Sequence, residues 1–185
     1  MACNVTAAVG VNCKEAVGGV KRIFIAGADV DMVDHPSWAL TSGKVSTIPT
    51  TAFYQWDFHP EKCTFEARIM ASPENGTLYY EQTLNLNIAH LDVDDQAQLE
   101  LLAKGKPVII VQLNTGALLL MGARHGCDVS GGGINAGQRF GDATEMTLEI
   151  GAKEYDTLVW YVTEGDDLSD ANYPLDNLTG ASINA

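Results

Sequence analysis

Positive charge is scarce in this chain. Eleven Lys and Arg stand against twenty-four Asp and Glu, a formal net charge of −13. A grip on a nucleic-acid backbone needs clustered bases, so phosphate-led binding of DNA or RNA is not expected. An acidic excess serves solubility, or lines a passage through which a polyanion slides without sticking. Long apolar runs are missing as well, since no stretch approaches the roughly eighteen residues of a membrane span. The start MACNVTAAVGVNCKEAVGG lacks the basic beginning and apolar block of a secretion signal. Synthesis in a cytoplasm, with no membrane partner, is the expectation. Cysteines are few and scattered: Cys3, Cys13, Cys63 and Cys127 form no C-x-x-C pair and no zinc-like spacing with His, so reduced thiols are expected.

Foldable material is present. Hydrophobic residues make up 46% of the 185 positions, with three Trp, six Tyr and five Phe, which places the chain among globular proteins of one ordinary core. Small residues dominate positions 1–19, which read as an N-terminal arm. A single β-rich domain is expected over 20–163. Residues 164–185 are acidic with few large apolar side chains and read as a tail that orders only when something binds it.

Alternation carries most of the signal. VKRIFIA, from Val20 to Ala26, and TTAFYQWDFHP are β-type runs. In TFEARIM, Phe65, Ala67 and Ile69 share one face while Thr64, Glu66 and Arg68 share the other. After the turn text SPENG, the run Thr77 to Ile88 places Leu78, Tyr80, Leu84, Leu86 and Ile88 opposite Tyr79, Glu81, Asn85 and Asn87. A long antiparallel hairpin is predicted. At about 3.3 Å per residue a twelve-residue arm reaches about 40 Å, so it runs along or beyond a domain of this size and is expected to meet another chain. One short helix follows, capped by Asp92 or Asp94 and stopped by Gly105 and Pro107, with Val93, Ala97, Leu101 and Leu102 facing a sheet. PVIIVQL and ALLLMG flank Asn114-Thr115-Gly116 as a second hairpin whose unbroken apolar runs demand burial on both faces. Met146, Leu148 and Ile150 alternate with charged and polar neighbours, and TLVWYV supplies a last buried strand. PVIIVQL, ALLLM and TLVWYV carry no internal Lys or Glu gatekeeper, so each is either central or covered by another subunit.

Several constellations invite chemistry. Gly131-Gly132-Gly133-Ile134-Asn135-Ala136 spells G-x-G-x-x-A, a dinucleotide fingerprint that must follow a strand and open a helix. Here Gly137, Gly141 and a following strand deny the helix, so a flexible strand-to-strand connection is expected and no cofactor. His125 and Cys127 stand two apart, the minimum for a thiol nucleophile and its base, but chance produces that spacing often and a part-buried thiol is preferred. Glu145 and Glu149 lie about 13 Å apart on one strand face, too far for paired-carboxylate glycosidase chemistry. His59 with Cys63, and Asp34 with His35, each lack a third metal ligand, so no metal is expected. No catalytic residue is assigned. Trp38, Tyr54 and Trp56 offer another class of reading, a monomeric β-sandwich module stacking on a sugar face.

Taken in order, the GGVKRIFIA strand, the hairpin ending YYEQTLNLNIAHLD, the helix DVDDQAQLELLAKGKPVIIVQ and the stretch LLMGARHGCDVSGGGINAGQRFGDATEMTLEI resemble the tail-tube or major tail proteins of tailed bacteriophages. The likeness covers about Gly18 to Val162. It implies a mainly β fold, a β-sandwich or partial barrel with a long hairpin and one flanking α-helix. It also implies a non-enzymatic virion protein: a homo-oligomer of rings, commonly hexameric, stacked into a tube that joins other tail proteins and passes DNA without specific binding. The hairpin Thr64 to Ile88 would contribute to the inner barrel, making Glu66, Arg68, Glu81, Asn85 and Asn87 candidate lumen-facing residues. A tail terminator or hub of the same fold is the nearest alternative. The segment SGGGINAGQRFGD is expected as an inter-subunit contact loop, with Gly131, Gly132 and Gly133 giving it mobility and Arg139 and Phe140 as anchors.

Overall fold

A computed structural model describes residues 17–27, 33, 38–41, 43–58, 61–89, 93–139, 142–163, 165 and 169–184. Among the described residues, twelve strands and one helix follow in order: β1 Val20–Ala26, β2 Leu40–Thr41, β3 Lys44–Val45, β4 Thr47–Asp57, β5 Thr64–Ser72, β6 Thr77–Ala89, α1 Val93–Lys104, β7 Ile109–Leu113, β8 Leu118–Met121, β9 Cys127–Asn135, β10 Glu145–Glu154, β11 Trp160–Val162 and β12 Thr179–Asn184. They form an eight-stranded sheet in the order β12-β4-β1-β7-β8-β11-β3-β2 and a four-stranded sheet in the order β5-β6-β10-β9. The architecture is a mainly β sandwich, open as a partial barrel, with one flanking helix.

Period-two alternation sorts the side chains into two cores. Ile23 and Ile25 of β1, Ile109 and Val111 of β7, and Leu119 and Met121 of β8 face Leu84 and Leu86 of β6 and Met146, Leu148, Ile150 and Ala152 of β10. Their sequence neighbours Phe24, Ile110, Leu118 and Leu120 point the other way, into a second cluster with Phe53, Trp160, Leu175 and Leu178. The central strands are therefore covered on both faces, which is why VIIV and LLLM carry no polar alternation.

That second core corrects the expected tail. Leu175 and Leu178 are buried, and β12 pairs in parallel with β4 from Thr179↔Thr47 to Asn184↔Tyr54. Two leucines and a ladder of five residue pairs, shifted in register between Thr179 and Ala181, suffice to hold the segment, although its acidic composition hides them. The glycine stretch is corrected too: Cys127 to Asn135 is a strand, not a loop, paired with β10 from Cys127↔Ala152 to Asn135↔Glu145 around one register shift. Three glycines have no side chains to alternate, so the imposing pattern belongs to the partner strand.

The long hairpin is present, in the register Thr64↔Asn85 through Ser72↔Thr77, with Gly76 at φ 63 closing the turn as a residue without Cβ allows. Helix α1 keeps only part of the stripe expected to face a sheet: Leu102 is buried, Ala97 and Leu101 are exposed, and Val93 lies outside the described side chains. Leu99 and Leu102 are buried whereas Leu101 is 64% exposed, because three leucines within one turn leave periodicity unable to choose the inward face. The Asp92 and Asp94 caps lie outside the described side chains.

Candidate functional site

The outward face of the four-stranded sheet is built by register alone. Opposite residues share a face, so Glu66↔Thr83, Arg68↔Glu81 and Thr64↔Asn85 place Glu66, Arg68, Glu81 and Asn85 together, and Asn87↔Thr147 extends the row onto β10. Glu149 and Lys153 join them through Asn85 and Glu81. The five residues expected on one polar surface do lie on one surface.

Its charges are largely neutralised in place. Arg68 grips Glu66 through two hydrogen bonds of 2.7 and 2.8 Å, a fork that holds the Glu66 carboxyl below the usual carboxylate range. Lys153 stands 3.8 Å from Glu81 and 5.8 Å from the centre of the Tyr79 ring. Asn87 donates to Glu145 at 2.9 Å and Lys62 pairs with the same carboxylate, so that group too is held low, first by Asn87 and then by Lys62. This face is mixed and polar, not the uniformly acidic one that a net charge of −13 suggests.

Both borders of this sheet are open. Its outermost strands are β5 and β9, each of nine residues, and neither is paired on its outer side among the described residues. Along β9, a Cβ at Gly131 or Gly133 would meet nothing within 4 Å, while one at Gly132 would sit 2.8 Å from the Thr147 carbonyl oxygen. Gly132 is thus required by the approach of β10, and its two neighbours leave bare backbone at the border. Past the strand, the amides of Gln138 and Arg139 both donate to Asp142 at 2.9 Å, which holds that carboxyl low and ties the turn. Arg139 is exposed, and Phe140 lies outside the described residues.

The other constellations are not assembled into chemistry. His125 is exposed, with its ring edge-on to Tyr155 at 5.6 Å, whereas the Cys127 thiol is fully buried and donates to the Met121 carbonyl at 3.5 Å. Burial pushes that thiol far above its ordinary value, so no thiolate is on offer. Cys63 is buried, and His59, Asp34 and His35 lie outside the described residues. Among the described residues no group of three or more His, Cys, Asp or Glu is placed to hold a metal. Trp38 sits in the second core, across the large sheet from Tyr54 and Trp56, so the three do not form one platform. Tyr54 and Trp56 instead line a cleft of about 590 Å³ between β4, the end of β1 and the C-terminal half of α1.

Composition gave no hint of the buried polar pair Gln82 and Glu154. Both project inward, Gln82 opposite Ala152 and Glu154 opposite Tyr80. Gln82 donates to the Leu158 carbonyl at 2.8 Å, and Glu154 accepts the Arg124 amide at 3.1 Å while its second oxygen has no partner. The Arg124 guanidinium is committed to Asp156 at 2.8 Å. Burial therefore raises the Glu154 carboxyl above its ordinary 4.5. A raised carboxyl contributes stability that is complete below about pH 4.5 and lost as pH climbs through the folded-state value. Glu154→Gln should match the wild type in acid and exceed it in thermal midpoint toward neutrality; parallel pH profiles for the two proteins would contradict this.

No protein-family model, no curated protein and no solved structure matches this chain. Among the described residues, no helix is long and apolar enough to cross a membrane.

Proposed function

We propose that this chain is a structural subunit of a bacteriophage tail tube, closing into rings through the two open borders of its four-stranded sheet. One observation carries the reading. Every neighbouring pair in that sheet is antiparallel, so β5 and β10 run one way and β6 and β9 the other. A second copy set beside the first meets β9 with its own β5, running oppositely, and the alternation continues without a break. Repeated around an axis, the sheets become one barrel with no edges left.

The face bearing Glu66, Arg68, Glu81, Asn85 and Asn87 then lines the channel. Carboxylates repel a passing phosphate backbone, and Arg68 and Lys153, each already answered by a glutamate, offer it little hold. The likeness of the Gly18 to Val162 stretch to tail-tube proteins supports the same reading, with rings stacked into a virion tail, other tail proteins at its ends and assembly in the host cytoplasm.

Size-exclusion chromatography followed by negative-stain microscopy tests it. Rings stacked into tubes are expected. Discrete rings that never stack would point to a terminator or hub of the same fold, and a monodisperse 19.8 kDa species at every concentration would remove the proposal.

A further inference from the structure

We infer that neighbouring copies join with β5 slid four residues along β9, so that Arg68 of one copy reaches across Gly131 to Glu149 of the next. The inference rests on the ring reading above and adds the register of its seam. Ala67, Gln82, Ala152 and Cys127 lie on one line across the four strands. A level seam continues that line to Ala67 of the next copy, pairs β9 only as far as Gly131 with Thr64, and leaves Gly132 to Asn135 bare. Sliding Thr64 toward Asn135 lengthens the overlap, and the reverse slide shortens it. Core and outer faces must each continue, so the slide is an even number of residues.

Strand tilt narrows the choice. At about 3.3 Å per residue and about 4.8 Å between strands, slides of two, four and six residues per four-stranded copy tilt the strands by about 19°, 35° and 46°, whatever the number of copies. Closed barrels tilt by about 35–45°, which removes the level seam and the slide of two. A slide of four pairs β9 from Asp128 with Met70 to Asn135 with Thr64, passing over Ser130 at the register shift. Pairing stops at Asp128 because the next amide, that of Cys127, already donates to the Pro107 carbonyl at 2.9 Å.

Side chains decide between four and six. With a slide of four, Arg68 stands opposite Gly131, which lies directly across from the exposed Glu149, and the exposed Asp128 is its diagonal neighbour. Gly131 has no side chain to block the span of about 10 Å between the two backbones. The fork to Glu66 occupies Nε and Nη2 of Arg68, so Nη1 remains to meet the second carboxylate. Glu66 itself falls opposite Gly133, across from Thr147. A slide of six brings Glu66 to Asn135, across from Glu145, and so turns acid toward acid. On the core face, a slide of four sets Ile69 against Val129 and Phe65 against Ile134, covering two isoleucines that are each 62% exposed in the single subunit. The occupant of each border is thus the opposite border of a second copy, held by a continued apolar core and one crossing ion pair.

Four cysteine positions test the seam in the full chain, under conditions where the wild type assembles. Residues 64 and 66 stand on one border of a subunit and 133 and 135 on the other, so disulfides between them form only between copies. After mild oxidation and peptide mass mapping, Thr64→Cys with Asn135→Cys should link efficiently, as should Glu66→Cys with Gly133→Cys. Thr64→Cys with Gly133→Cys reports a slide of two, and Glu66→Cys with Asn135→Cys a slide of six. Both should link about tenfold less, since directly opposed Cβ atoms are about 4.5–5.5 Å apart and diagonal ones about 7–8 Å. Arg68→Glu and Glu149→Lys should each raise the concentration needed for assembly about tenfold, and the double variant should assemble better than either. Circular dichroism checks that each variant folds. Preferential linkage through either of the last two pairs, or a double variant no better than the single ones, would overturn this seam and leave the ring reading in place. Assembled wild type with no linkage in any of the four pairs, or a wild type that stays monomeric, would remove both.

Discussion

A chain in which Gly131 and Gly133 are both replaced by lysine is expected to fold like the wild type and to lose ring formation. Neither position has an atom within 4 Å of its would-be Cβ, so the subunit accepts the side chains. Lysine on a border strand is the device by which natural sheets refuse further pairing. The new ammonium groups also find Glu149, which lies directly across from Gly131, inside their own subunit. Association should fall by at least about tenfold, the equivalent of about 1.4 kcal/mol per seam. Sedimentation or size-exclusion at matched concentration reads the change, with thermal melting as the check on folding. Rings of unchanged abundance would show that β9 is not a seam. Gly132→Ala is the informative contrast: its methyl would press on the Thr147 carbonyl 2.8 Å away, so it should lower the melting point of the subunit itself.

Leu175→Ala is expected to cost about 2–5 kcal/mol of unfolding free energy, in the range found for large-to-small changes in sealed cores. Leu175 is fully buried among Phe24, Phe53, Ile110 and Trp160, in a stretch whose acidic text resembles a solvated tail. Removing residues 164–185 altogether should abolish cooperative unfolding, because β4 would lose its β12 partner and the second core would open to water. Denaturant titration decides the matter. A loss under about 0.5 kcal/mol for Leu175→Ala would mean that the segment is peripheral.

These two positions also mark where pattern reading succeeds and where it stops. Strands β5, β6 and β10 were legible because each carries its own alternation, β1 because of its run of β-branched and aromatic residues, and the β5–β6 turn because Pro73 to Gly76 states its geometry. The unbroken runs of β7 and β8 were legible as strands covered on both sides, a burial that the two cores supply. Strand β9 was not legible, since Gly131 to Gly133 hold no side chains and take their conformation from β10. Strand β12 was missed for the opposite reason: its order comes from a distant ladder on β4 and from two leucines upstream. The polar row from Glu66 to Asn87 could be predicted because facing follows from period two, but its pairing could not. Arg68 reaching Glu66 and Lys62 reaching Glu145 depend on rotamers and on strand order. Gln82 and Glu154 fall in phase with the inward apolar residues of β6 and β10, but polar side chains at those positions carry no sign of burial until the rest of the fold closes over them.

The large sheet lies between two packed layers, one against β6 and β10 and the other against the Leu175 segment. Close-packed interiors are stiff and pass strain along instead of absorbing it. A load applied at the hairpin therefore travels through both layers and emerges near residues 175–178 on the far side. Mechanically, the subunit is a laminated beam whose outermost ply is its own C-terminal stretch.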